Sequence, residues 1–193
     1  APRQTLPLTL PGDLPPGLYV PTVRVLSDGV EQPARAANGT AMSTPALEPV
    51  LVRAHRRSSG AEPVLGAYGP EQAPPAVALL GGAVRRAEGN RVEVSLEWRS
   101  ERQAPLNYAL SVRLAGPDGT PLASRDLPPL LAGYPTSLWQ PGELLADRVL
   151  LDVPEGLPAR GLRLEVVLYD RLTLKGAGSV ALTDLDLLEP SAP

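Results

Sequence analysis

Apolar and polar residues alternate along several short stretches of the chain. A period of two places one set of side chains on each face of an extended strand. The cleanest run is Arg91–Arg99, with Val92, Val94, Leu96 and Trp98 on the inward face and Arg91, Glu93, Ser95, Glu97 and Arg99 on the outward one. Asn107–Leu114 repeats the pattern through Tyr108, Leu110, Val112 and Leu114. Leu144–Val153, Leu162–Tyr169 and Ser179–Leu188 read as further strands, and so does Val77–Arg85, which Gly81-Gly82 interrupts with an expected bulge. Gly116-Pro-Asp-Gly119 is a hairpin signal, because proline pre-sets a turn angle and glycine supplies a positive φ. No helical period survives for three turns. Short strands with turn signals at about 8–12-residue spacing predict an all-β, antiparallel β-sandwich, Ig-like or jelly-roll-like.

The N-terminal quarter reads as a partial second β unit. Leu6–Leu10, Leu18–Leu26 and Leu47–Arg53 are its strands, and Pro21 and Pro49 each remove a ladder donor. Leu14-Pro-Pro-Gly-Leu-Tyr followed by Val23-Arg-Val-Leu26 echoes Leu157-Pro-Ala-Arg-Gly-Leu-Arg followed by Val166-Val-Leu168. Residues 1–53 are therefore expected to be the closing strands of a second sandwich, and residues 77–190 a fuller one. Between them, residues 54–76 are rich in Arg, Ser, Pro and Gly and read as a linker on which Val64, Leu65 and Tyr68 have the means to dock.

Composition narrows the picture. The 193 residues include 24 prolines and 18 glycines, which fall between the apolar runs and so mark turns. Phe is absent, and the core must come from Leu, Val and Ala with few aromatics. A net charge of −3 offers no basic excess for phosphates, so nucleic acid is not an expected partner. With no cysteine there is neither disulfide nor thiolate metal site, and no run of about 18 apolar residues inserts this segment into a membrane.

Candidate chemistry is sparse. His55, the only histidine, lies among Arg56, Arg57 and linker residues with no Gly-x-Ser-x-Gly elbow, so no catalytic residue is assigned. No metal ligand set or cofactor motif is present, and none is expected. Glu93/Glu97 and Asp184/Asp186 read as solvated strand faces, and Asn38-Gly-Thr40 as a turn rather than a sequon. The remaining feature is the loop Gly133-Tyr-Pro-Thr-Ser-Leu-Trp-Gln-Pro-Gly-Glu143. Two readings stay open. Tyr134 and Trp139 can stack on a sugar ring while Gln140 and Glu143 bond its hydroxyls, or the aromatics can plug the open end of the sandwich. Exposure of Trp139 separates the two.

The same loop carries a resemblance. Leu79-Leu80-Gly81, Leu96-Glu-Trp98, the Tyr134–Glu143 motif and Val166-Val-Leu-Tyr-Asp170 follow in an order similar to that in the soluble C-terminal β-sandwich regions of bacterial multi-pass membrane glycosyltransferases of the dolichyl-phosphate-mannose mannosyltransferase type. The likeness covers roughly residues 77–170 and departs after Asp170, where Arg171-Leu-Thr-Leu-Lys-Gly replaces the usual Pro-x-Thr-Gly turn. It implies an extracytoplasmic location in the cell envelope, a membrane-anchored parent, and, as partners, other domains of that parent, envelope proteins or glycan. The catalytic acids of such enzymes lie in their membrane portion, so the resemblance implies no catalysis here.

Overall fold

The structure, a computed structural model, describes residues 9–32, 40, 48–54, 56–127 and 133–190. Residues 6–8 of the first expected strand, Leu47, Asn38 of the sequon and His55 lie outside the described residues. The chain divides into two compact units, Ala1–Arg53 and Ala54–Pro193.

In the first unit β1 (Gly17–Tyr19) pairs antiparallel with β4 (Val50–Val52), and β2 (Val25–Ser27) forms a hairpin with β3 (Val30–Gln32). Asp28 (φ 51°) and Gly29 (φ 78°) make the turn in the left-handed geometry that tight hairpins require. The single strand expected over Leu18–Leu26 is broken in two, as the lost donor at Pro21 allows. The expected strand Leu47–Arg53 is short and starts after Pro49. No large apolar side chain of this unit is buried among the described residues.

The second unit is a β-sandwich. β5 (Gly66–Tyr68), β6 (Val77–Ala87), β7 (Arg91–Ser100), β8 (Tyr108–Ala115), β9 (Pro121–Leu127), a 3-10 turn at Thr136–Leu138, β10 (Leu144–Asp152), β11 (Leu162–Asp170), β12 (Gly176–Leu185) and β13 (Leu187–Leu188) follow in order. One sheet runs β10-β7-β6-β13 with β5 also on β6, and the other runs β12-β11-β8-β9. The alternation read from sequence becomes the core. Val92, Val94, Leu96 and Trp98 meet Leu110, Val112 and Leu114, together with Leu162, Leu164, Val166 and Leu168, all buried. The Leu79/Gly81 register shift places a bulge at Leu80, just before the Gly81-Gly82 pair expected to carry it.

Two expectations are corrected. Residues 54–76 are not a bare linker. Leu65 N–H donates to Leu79 O (2.8 Å), β5 pairs with β6, and Tyr68 is wholly buried, its ring edge-on to Trp98 at 5.7 Å and its hydroxyl donating to Val166 O (3.1 Å) of the opposite sheet. Small residues permit this seam. A Cβ at Gly66 would lie 1.9 Å from Val180 Cγ2, and one at Gly178 would lie 3.1 Å from Ala67 O. The last strand is also not one strand. At Asp184 the backbone turns left-handed (φ 56°), and the chain leaves β12 to pair β13 parallel with β6 through Leu187↔Val84. Asp184 and Asp186 therefore do not share the face of one strand.

Candidate functional site: a sealed aromatic loop

The loop before β10 is built by residues that fix backbone angles. Gly133 (φ 86°) and Gly142 (φ 81°) occupy the left-handed region at its two ends, and Pro135 starts the 3-10 turn in extended geometry. Leu138 N–H donates to Pro135 O (2.9 Å), Trp139 N–H to Thr136 O (3.2 Å) and Glu143 N–H to Gln140 O (3.0 Å). The side chains then close on one another. Trp139 Nε1–H donates to Tyr134 O (3.0 Å), and the two rings lie 6.5 Å apart at 33°. Tyr134 Oη–H donates to Glu143 Oε2 (2.8 Å), which also accepts Gln140 N–H (2.9 Å).

Neighbouring elements clamp the loop. Thr136 Oγ1 donates to Leu106 O (3.0 Å) and accepts Tyr108 N–H (3.0 Å). Asn107 Oδ1 accepts Ser137 N–H (3.2 Å), and Gln103 Nε2 donates to Ser137 O (3.1 Å). Gly142 and Glu143 exchange backbone hydrogen bonds with Ser100 at the end of β7. From the other side, Arg57 bridges Glu143 in antiparallel fashion, Arg57 Nη1 donates to Pro141 O (2.9 Å), and Nη2 stands 4.0 Å from Glu143 Oε1.

Tyr134, Trp139 and Glu143 are thus fully buried, and Gln140 is half-buried with its backbone spent on Glu143. The structure brings the predicted residues together, but as a packed plug. Neither ring has a face open to a sugar, and the Glu143 carboxylate has no exposed surface on which to meet a hydroxyl. Of the two readings open in the sequence, the burial of Tyr134, Trp139 and Glu143 fits the plug, to which the half-buried Gln140 lends its backbone. Arg57, which faces the buried carboxylate, escaped the sequence reading because it sits in the supposed linker. Its adjacency to Pro141 and Glu143 spans more than 80 residues and leaves no local signal.

Open concave surfaces lie elsewhere. A shallow cleft of about 570 Å³ runs over the outer face of β8, β9 and β11, lined by Arg113, Ser124, Arg163 and Glu165 among others. Arg113 and Ser179 both hold Glu165 there, at 3.1 and 2.9 Å. A second cleft of about 570 Å³ lies beside the β11–β12 turn, where Tyr108, Asp170, Thr173 and Lys175 line it. Burial raises the Tyr108 phenol above its ordinary value. Among the described residues no group of three or more His, Asp or Glu is placed to hold a metal ion.

No protein-family model matches the chain, and no curated protein matches it. Among solved structures it is similar to the crystal structure of the C-terminal domain of wzt, at 12% identity, over 66% of this chain and 83% of that one, with a TM-score of 0.38. A likeness of that size carries no inference about function.

Proposed function

We propose that this chain is a non-catalytic accessory, or scaffold, β-sandwich region of a bacterial cell-envelope protein, extracytoplasmic and associated with a glycosyltransferase, whose partners are other domains of its parent or of the envelope. The observation that carries this reading is the burial of Trp139 and Tyr134. The loop richest in recognisable chemistry closes the end of the sandwich and presents no platform to a ligand. The ordered motifs from Leu79 to Asp170 support the association with membrane glycosyltransferases.

The test is Trp139→Ala in the full chain. Filling a buried pocket with Ala in place of Trp costs about 3–5 kcal/mol. Urea denaturation of the variant is expected to show that loss, with binding to cell-wall and exopolysaccharide preparations equal to the parent's. Intact stability combined with lost glycan binding would identify a carbohydrate-binding module and overturn the scaffold reading.

A further inference from the structure

The turn between β11 and β12 reads Arg171-Leu-Thr-Leu-Lys175. Leu172 is 93% exposed and Leu174 is 74% exposed, whereas every other exposed large apolar side chain among the described residues lies between 40% and 64%. They are held out, not left loose. Asp170 N–H donates to Lys175 O (2.8 Å), and Leu174 N–H donates to Asp170 O (2.8 Å). Asp170 Oδ1 accepts Leu172 N–H (2.9 Å), and Oδ2 accepts Thr173 Oγ–H (2.6 Å). Leu174 adopts φ 58°, a region that ordinarily takes glycine or asparagine. A hairpin tip with no need of an apolar contact would carry Gly there, as the Asp28-Gly29 turn does.

We infer that this tip is a surface anchor that docks on an anionic lipid bilayer, its two leucines entering the interface and Arg171 and Lys175 pairing with headgroup phosphates. The charge pattern favours lipid over a protein pocket. The cations sit on either side of the apolar pair, all five residues are exposed, and neither cation forms a salt bridge among the described residues, although the charge of Lys175 acts on Asp170 within the turn. Apolar side chains flanked by Lys or Arg are the composition of interfacial anchors. Leucine is under-represented among the residues that dominate protein–protein binding, which are Trp, Tyr and Arg, and none of the first two stands on this tip. The acid nearest in sequence, Asp170, is consumed inside the turn, and Glu71 lines the cleft behind Lys175. The contact is superficial: among the described residues no helix is long and apolar enough to cross a membrane. It stands independently of the scaffold reading, since it requires no particular parent.

The experiment is vesicle flotation of the full chain with phosphatidylcholine vesicles, with and without phosphatidylglycerol, at low and high salt. The parent chain is expected to float with the anionic vesicles, and high salt should release it. Leu172→Ser/Leu174→Ser should lower the bound fraction at least tenfold, and Arg171→Gln/Lys175→Gln about fivefold per cation removed. Leu150→Ser, on the opposite sheet, should change nothing. Thermal melting of each variant is expected to match the parent, because the tip buries nothing. Failure of the parent to float, or unchanged flotation of either tip variant, would overturn the proposal. So would a dimer in sedimentation velocity that Leu172→Ser/Leu174→Ser dissolves, since the tip would then dock on a second copy.

Discussion

Glu143 sits with no exposed surface at the end of a sandwich, where an ionised carboxylate ordinarily costs several kcal/mol to desolvate. Tyr134 Oη–H and Gln140 N–H both bond Oε2, while Oε1 is buried without a hydrogen-bond partner and faces the Arg57 guanidinium at 4.0 Å. A second carboxylate on the same segment as Arg57 makes a pH-dependent contribution. Hydrogen bonding, chiefly from the Ser58 hydroxyl, then from the backbone of Glu62 itself and of Ser59, lowers Glu62 from its ordinary 4.5 to about 2, and Arg99 Nη1 lies 3.2 Å away. A folded pKa held below the unfolded one stabilises fully above the unfolded value, and that contribution is lost as pH falls from 4.5 toward 2. Urea midpoints of the parent chain and Glu62→Gln should therefore differ above pH 4.5 and converge toward pH 2. A difference that stays constant over that range would show that the Ser58–Glu62–Arg99 cluster does not form. None of this was visible in sequence. An acid's default position is solvent, and both carboxylates acquire their roles from partners brought in by folding.

At the scale of elements, legibility followed one-sided burial. β7 and β11 each press one face on the core, so their period of two survives in the sequence and their inward residues could be named from it. β5 has three residues, begins with Gly66 and lies in a run rich in Pro and Gly, so it carries no period to read. It nevertheless joins the two sheets. Its glycine marks the place: a methyl group there would overlap Val180 of β12, with Cβ 1.9 Å from Cγ2. Gly66→Ala is accordingly expected to destabilise the chain by about 1–3 kcal/mol, as overpacking does. Val180→Ala should recover much of the loss, giving a favourable coupling in a double-mutant cycle. Additive effects would mean that β5 is not seated against β12. β13 was illegible for another reason. Its parallel pairing with β6 depends on a single left-handed residue, Asp184, and no composition rule forecasts that conformation for Asp in the midst of a strand pattern.

On the scale of the whole molecule, one end of the sandwich carries two features of different character, for Asp170 at the end of β11 pairs with Tyr108, whose N–H bonds Thr136 of the loop. The first is the Tyr134–Glu143 loop, sealed together with Arg57 and the β7–β8 connection through Thr136, Asn107 and Gln103. The β11–β12 turn, by contrast, offers water the two most exposed large apolar side chains among those described. The sequence identified the first as the place where chemistry concentrates and left open whether its aromatics face a sugar or the core. The burial of both rings fits the core: the indole N–H is held by the Tyr134 carbonyl and the phenol by the Glu143 carboxylate, inside the loop. The second stood out in the sequence only as a departure from the usual Pro-x-Thr-Gly turn, because the exposure of its leucines is set by folding and leaves no mark in a linear sequence.

The most direct test of the sealed loop is native-state hydrogen exchange at the indole Nε1–H of Trp139. A structural plug predicts exchange only through global unfolding. The free energy of opening should equal that of core amides such as Val94 and Leu110, and it should fall with denaturant at the same slope. Exchange with a far smaller opening free energy, insensitive to denaturant, would show that the loop opens on its own to expose Trp139, and the structural role assigned to it would be wrong.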